Sequence, residues 1–184
     1  MGVATKIEWC HHTFNPWRGC NEVHVGCSHC YAKANAKRNP KIFGTWGANG
    51  TRVVASESMW REPLKWDLAA KAAGERRRVF CASLADVFED RPDLYAPRER
   101  LLELIGSTPN LDWLLLTKRP ANVDNLMSPP PTKEVPIPYL GGGDYLPNVW
   151  RGTSISDQKT ADEFVPALLS AQAALRFLSI EPLL

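Results

Sequence analysis

Short apolar segments of strand length alternate with helical segments through most of this sequence. The predicted strands lie at 78–84, 111–117, 149–155 and 176–180, and the predicted helices lie at 60–73, 96–105, 120–127 and 158–174. Strands joined by helices pair in parallel, because a parallel connection has to cross back over the sheet. Since the apolar runs do not alternate with polar residues, they fit strands that are covered on both faces. The sequence therefore predicts an α/β domain built on a parallel sheet.

Three of the five cysteines are crowded into one loop near the start of the chain. Cys20, Cys27 and Cys30 have the spacing C-x6-C-x2-C within the segment 18–31. A helix is predicted at 31–38, so Cys30 lies at a helix N-terminus, which favours the negative charge of a thiolate. Packing alone does not explain such crowding, and we predict that the three thiolates bind a metal ion or a cluster. Three ligands leave one coordination position open for chemistry.

Two kinds of inorganic centre are compatible with this loop. Structural zinc needs a fourth ligand, for which Cys10, His24 and His29 are near enough in sequence. Zinc sites usually combine two short ligand spacings, and only one pair is close here. An iron–sulfur cluster needs only cysteines of this kind. Composition and spacing leave both alternatives open. Cys81 lies within an apolar strand and is predicted to be a small buried residue.

The composition excludes several classes of protein. Apolar residues make up 44% of the 184 residues, which is typical of a folded domain and not of a disordered chain. No apolar run reaches the length of a membrane span and no signal-peptide core is present, so we expect a cytoplasmic protein without membrane contact. In that compartment five cysteines favour metal or redox chemistry over disulfides. The net charge of +2 permits contact with nucleic acid but does not require it.

The length is that of one domain, and residues 1–184 are predicted to fold as a single unit. A short strand is predicted around residues 6–9, in an aromatic first segment. A long loop at 128–148, rich in proline and glycine, interrupts the alternation of strands and helices. The chain stops at Leu184, directly after an apolar strand. We therefore expect either a C-terminal truncation or a partner chain that completes the fold.

The order of these features is similar to that of radical S-adenosylmethionine (SAM) enzymes. More closely, the chain resembles the phage protein Gp37/Gp68 family. The first cysteine gap is six residues, where three is usual in radical SAM enzymes. The segments that carry the resemblance occur in order along the whole chain, at 7–9, 14–16, 19–20, 26–27, 30–32, 83–88, 115–119, 148–155 and 177–183.

This resemblance implies a fold, two cofactors and a reductant. The fold would be a partial (β/α)6 TIM-like barrel of the radical SAM type, lacking its last βα unit. Cys20, Cys27 and Cys30 would hold a [4Fe-4S] cluster, with SAM bound to its fourth iron. An electron from a donor such as flavodoxin or ferredoxin would then cleave SAM to a radical that abstracts hydrogen from the substrate. Such cofactors carry the difficult chemistry, while the protein supplies placement.

The resemblance also implies contacts to SAM at the ends of the strands, where catalytic groups collect in barrels. Ser83 and Asp86 occupy the region of the glycine-glycine-glutamate motif, which is absent here and normally holds the methionyl amino group. Lys118 and the neighbouring Arg119 would bind the SAM carboxylate or a substrate phosphate. Each has a structural alternative, such as a helix cap or a solvated charge. The candidate SAM contacts are Ser83, Asp86, Lys118, Ser154 and Glu181.

The expected function is thus that of a radical SAM enzyme, with no catalytic residue assigned. By analogy with the branch that contains DNA photoproduct lyase, the expected substrate is a nucleic acid or nucleotide in a phage or prophage setting. One alternative is a non-catalytic zinc-binding module that binds nucleic acid. Another is an inactive, truncated relic that keeps the cluster loop.

Overall fold

The computed structural model describes residues 5–127 and 146–184. The strands in these ranges are β1 (His12–Thr13), β2 (Trp17–Arg18), β3 (Val53–Val54), β4 (Arg77–Cys81), β5 (Leu111–Thr117), β6 (Val149–Ile155) and β7 (Leu175–Ile180). The helices there are α1 (Tyr31–Arg38), α2 (Pro40–Phe43), α3 (Glu57–Trp60), α4 (Glu62–Ala73), α5 (Tyr95–Gly106), α6 (Val123–Met127) and α7 (Gln158–Ser170). Almost all of the predicted loop at 128–148 lies outside the described residues.

A parallel sheet of five strands forms the centre of the described structure, in the order β1-β4-β5-β6-β7. Every pairing in this sheet is parallel, as predicted for strands that alternate with helices. The register places Thr117 beside Thr153, and Ser154 beside Ser179. The carboxyl ends of neighbouring strands therefore meet along one edge of the sheet. The predicted α/β class is confirmed; β2 and β3 form a separate antiparallel pair.

The core lies between the sheet and the helices that cover it. Val79, Leu111, Trp113 and Leu115 of the central strands are almost fully buried, which explains why their segments are apolar without alternation. Helix α5 buries the apolar side that includes Ile105 against them. This packing fixes the position of the strand ends.

The structure corrects the prediction of a first strand around residues 6–9. The edge strand β1 lies later, at His12–Thr13, and pairs with β4. The earlier residues form a turn, in which the Cys10 amide donates to the carbonyl of Ile7. Aromatic and β-branched residues there suggested a strand. The backbone groups that would pair with a neighbouring strand form hydrogen bonds within the turn instead.

Several predicted boundaries also differ from the structure. The predicted helix at 60–73 is divided between α3 and α4, and it ends at Gly74, which adopts the left-handed conformation with φ 66°. Strand β4 stops at Cys81 rather than at Leu84, because the Leu84 amide donates to the Asn15 side chain at 2.7 Å. Helix α7 ends at Ser170 rather than continuing to residue 174. The hydrogen bond from the Leu84 amide to the side chain of Asn15 thus accounts for the shorter β4.

A buried ion pair joins the loop before β3 to the loop after β4. Arg52 donates from Nε and Nη2 to the two carboxylate oxygens of Glu89, at 2.8 and 2.6 Å. Both side chains are almost completely buried. The same guanidinium donates to the carbonyls of Thr45, Gly47 and Thr51. This ion pair therefore connects two loops that are not joined by strand pairing.

Strand β7 forms one edge of the five-stranded sheet. Its side chains are alternately exposed and half-buried, with Leu178 45% and Ile180 59% exposed. This strand is therefore covered much less than the central strands. In residues 5–127 and 146–184, no helix combines the length and the apolar character that crossing a membrane requires.

Candidate cofactor site

A cleft of about 750 Å³ opens at the carboxyl edge of the parallel sheet. In folds of this kind, ligands bind at that edge, because the loops after neighbouring strands converge there. All eight residues predicted as ligands or contacts line the cleft: Cys20, Cys27, Cys30, Ser83, Asp86, Lys118, Ser154 and Glu181. The fold thus brings together residues that are up to 161 positions apart in the sequence.

The cluster loop, residues 18–31, holds its three cysteines by specific backbone contacts. The Gly19 amide donates to the Leu84 carbonyl at 3.1 Å, and Gly19 has the positive φ of 103° that glycine tolerates. Residues Val25–His29 form a 3₁₀ turn, whose amide at Gly26 donates to Nδ1 of His24 at 3.0 Å. Cys30 is the N-cap of α1, as the sequence predicted. Its thiol therefore lies at the end of a helix that favours negative charge.

Gly26 allows this loop to lie directly on the end of β6. A Cβ atom at this position would be 2.2 Å from Oγ of Ser156 and 2.8 Å from Cε1 of His24. Real Cβ atoms are essentially never so close to another heavy atom. The absence of a side chain at Gly26 therefore determines how near the following residue, Cys27, comes to the strand ends.

Replacing Gly26 with alanine is expected to displace the loop and weaken metal retention about tenfold to hundredfold, the usual cost of disturbing the surroundings of metal ligands. Iron and acid-labile sulfide would be measured after anaerobic reconstitution and a timed chelator challenge. The double variant Gly26→Ala/Ser156→Gly removes the nearer of the two clashing side chains and should recover part of the retention. Retention equal to the parent's in Gly26→Ala would show that the close contact does not position the cysteines.

The thiol of Cys20 lies beside the guanidinium of Arg119. Nη1 of Arg119 is 3.7 Å from Sγ of Cys20, and Nη2 donates to the Asn21 carbonyl at 2.7 Å. Burial, reinforced by the carboxylate of Asp86, raises the pKa of Cys20 to about 12, although Arg119 acts to lower the pKa. The metal-free thiol is therefore protonated at neutral pH, and binding of a metal must release its proton.

The three cysteine thiols form a candidate donor set for a bound metal centre. In residues 5–127 and 146–184, no three histidine, cysteine, aspartate or glutamate side chains converge to hold one metal ion. In a cubane cluster each thiolate binds a different iron, so the sulfurs need not converge on one point. Three thiols lining one cleft satisfy that donor set. Cys10, an alternative zinc ligand, is buried and does not line the cleft.

Asp86 is buried, and both of its carboxylate oxygens accept hydrogen bonds from the protein. Oδ1 accepts from the Phe88 amide at 2.9 Å and from Oγ1 of Thr117 at 2.8 Å. Oδ2 accepts from the Lys118 amide at 3.0 Å and from Nη1 of Arg119 at 2.9 Å. Asp86 therefore connects the loop after β4 to the end of β5. Its oxygens are already engaged where a contact to SAM was expected.

The other candidate contacts present polar groups to the cleft. Nζ of Lys118 donates to Oγ of Ser154 at 3.1 Å, which joins the ends of β5 and β6. Oγ of Ser83 lies 3.0 Å from Nδ2 of Asn15. Glu181 is exposed and accepts from Oγ of Ser179 at 2.7 Å. One ammonium, two hydroxyls and one carboxylate therefore face the same space.

The sequence interpretation missed one polar residue that supports the site, Asn15, and the contacts of another, Arg119. Asn15 is almost fully buried and uses its side chain to hold Ser83 and the Leu84 amide. The signal for it was a single amide in an otherwise apolar segment, Phe14 to Trp17. Arg119 was considered only as an anion-binding residue, but its guanidinium contacts the cluster loop. No local pattern reveals a contact between residues 99 positions apart.

The fold is similar to that of several solved structures of spore photoproduct lyase. A cysteine-to-serine variant matches with a TM-score of 0.63 and 15% sequence identity. A tyrosine-to-phenylalanine variant and a complex with dinucleoside spore photoproduct both match at 0.61, with 13% and 14% identity. The matches cover 98% to 99% of this chain, whereas the chain spans 48% of each lyase. At this identity the likeness concerns the fold.

The particular family is defined by the sequence itself. The family model described as "Protein of unknown function (DUF5131)" matches residues 4–184, and the chain therefore belongs to that family. No curated protein matches the chain significantly. These matches leave the resemblance to the phage protein Gp37/Gp68 family as a prediction.

Proposed function

We propose that this chain is the core of a radical SAM enzyme, in which Cys20, Cys27 and Cys30 bind a [4Fe-4S] cluster. One observation carries the proposal: the three cysteines and the predicted SAM contacts line a single cleft at the carboxyl edge of a parallel sheet. The likeness of that sheet to the lyase fold supports it. When bound and reduced, such a cluster supplies the electron that cleaves SAM.

The polar groups of the cleft suit the two ends of SAM. The ammonium of Lys118, at the end of β5, would bind the methionyl carboxylate, because opposite charges pair strongly in a partly buried site. Glu181 and Ser83 would accept from the amino group. Ser154, which already accepts from Lys118, would contact the ribose hydroxyls. Asp86 would act from behind these residues by holding the ends of β4 and β5 in place.

A nucleic acid or nucleotide is the proposed class of substrate. Trp9, Tyr31 and Trp46 line the same cleft, and the rings of Trp9 and Tyr31 are partly exposed. Bases stack on exposed aromatic rings, so these side chains are suited to such a ligand. A lyase of this fold has been solved with a dinucleoside photoproduct, which supports the same class.

Four further parts of the proposal come from the sequence. The full fold would be a partial (β/α)6 barrel, to which the described sheet contributes five strands. A partner chain would cover the edge at β7. Flavodoxin or ferredoxin would supply electrons in the cytoplasm. A phage or prophage setting would follow from the resemblance to the Gp37/Gp68 family.

Metal analysis with a SAM cleavage assay tests this function directly. After anaerobic reconstitution, the parent should contain about four iron and four sulfide per chain, the content of one cubane cluster. With dithionite it should convert SAM to 5′-deoxyadenosine. The triple variant Cys20→Ala/Cys27→Ala/Cys30→Ala should lose both iron and cleavage. Cys10→Ala is the matched control, because this buried cysteine precedes Cys20 by about ten positions in the sequence but does not line the cleft.

Two results would contradict the proposal. One is a parent protein that binds about one zinc per chain and no sulfide, which is the composition of a structural zinc site. The other is a cluster that persists in the triple variant, because the cluster would then have different ligands. If a cluster forms but SAM is not cleaved, the assignment of the cluster would stand and the assignment as an enzyme would fail.

A further inference from the structure

Arg119 makes a connection that binding of SAM does not require. It follows the end of β5, and its side chain is only 10% exposed. Its guanidinium contacts two residues of the cluster loop, the Asn21 carbonyl at 2.7 Å and Sγ of Cys20 at 3.7 Å. The planar group thus links the sheet to the first of the three cysteines. Both of its terminal nitrogens are thus engaged with protein groups.

Asp86 fixes the orientation of this guanidinium. Its Oδ2 accepts from Nη1 of Arg119 at 2.9 Å, and its three other hydrogen bonds attach it to the protein. Both partners are buried, so the pair is only weakly screened by solvent. Arg119 itself lines the cleft, and this ion pair holds its positive charge beside Cys20.

We propose that Arg119 is a positioning residue for the cluster, which holds the Cys20 sulfur in place and raises the reduction potential. This inference rests on the proposed function. The physical argument is that reduction adds one electron to the cluster. A hydrogen-bond donor and a positive charge at a ligand sulfur stabilise the more negative state, and hydrogen bonds to the sulfurs are known to set such potentials.

Among the described residues, Cys20 is the cysteine of the loop that has a charged hydrogen-bond donor. Lys118 is the neighbouring cation in the cleft, but its Nζ donates to Ser154, and within the described part of the chain it has no hydrogen bond to a cysteine sulfur. Lys118 therefore provides a matched comparison. Its replacement removes the same charge from the same cleft without removing a donor to sulfur.

The test is an EPR-monitored redox titration of the reconstituted cluster in four proteins: the parent, Arg119→Met, Arg119→Lys and Lys118→Met. At a fixed potential, Arg119→Met should show about a tenfold lower ratio of reduced to oxidised cluster, equal to about 59 mV for a one-electron couple. Arg119→Lys keeps the charge and a donor, and it should lie close to the parent. Lys118→Met should shift the ratio in the same direction but by less than Arg119→Met.

The outcomes separate this inference from the proposed function. If the parent assembles no cluster, the proposed function fails and the inference fails with it. If the parent has a cluster that cleaves SAM, and Arg119→Met has the parent's potential, the inference alone is overturned. Should Arg119→Met not fold, Arg119→Gln takes its place, because its amide can still donate to Asp86. A potential equal to the parent's in Arg119→Gln would then overturn the inference.

Discussion

Asp86→Ala is expected to lower the free energy of unfolding by about 3–5 kcal/mol, the range for removing one partner of a buried ion pair. Four donors lose their acceptor at once, from Phe88, Thr117, Lys118 and Arg119. The guanidinium would be left buried without its carboxylate, which is the most costly of these changes. Denaturant unfolding of the metal-free protein measures the loss. The slope of the transition should equal the parent's, which would show that the compactness of the two states is unchanged.

Two further variants make this result specific. Asp162→Ala removes an exposed aspartate of α7 and should stay within about 0.5 kcal/mol of the parent. The double variant Asp86→Ala/Arg119→Met removes the unpaired charge and should be more stable than Asp86→Ala alone. A loss below about 1 kcal/mol in Asp86→Ala would contradict the buried hydrogen-bond network, because one unsatisfied buried donor already costs that much.

Arg52→Met should also destabilise the protein by about 3–5 kcal/mol, since it leaves the buried carboxylate of Glu89 without its partner. The three carbonyls that the guanidinium satisfies would lose a donor as well. Thermal and denaturant unfolding would both report this loss. We expect the cysteines of the variant to stay in their positions in the cleft. The loop before β3 should be cleaved more readily by proteases.

Lys65→Met is the control for this second prediction. Its ion pair with Glu62 is on the surface of α4, so the change should be within about 0.5 kcal/mol. The double variant Arg52→Met/Glu89→Leu replaces both charges by apolar side chains and should recover part of the stability. If the double variant were as unstable as Arg52→Met, the carbonyl contacts and not the ion pair would account for the loss.

The class of the fold was predictable because burial leaves a direct trace in the sequence. The segments 111–117 and 149–155 coincide with β5 and β6, whose side chains are buried along most of their length. The first strand was not predictable in this way. Strand β1 has two residues, and its position depends on pairing with β4 rather than on its own composition.

The candidate site could be predicted as a set of residues but not as an arrangement. The spacing of Cys20, Cys27 and Cys30 is visible in the sequence, and so is the position of Lys118 after a strand. The partners of Asp86 are not visible, because most of them lie 31 to 33 positions away along the chain. An acidic residue in a βα loop has the same sequence signal whether it binds a ligand or holds the protein together.

The parallel pairing of β1 with β4 has a consequence for how the protein is made. The amide of Arg78 donates to His11, from 67 residues further along the chain. During synthesis the N-terminal segment emerges first and cannot take its place until β4 and the intervening residues have followed. The cysteine loop belongs to this N-terminal part, which is still unpaired on the ribosome. Its thiols can therefore react with oxygen and with free metal ions. The proposed cluster would therefore be completed only after this closure, once the strand ends have come together.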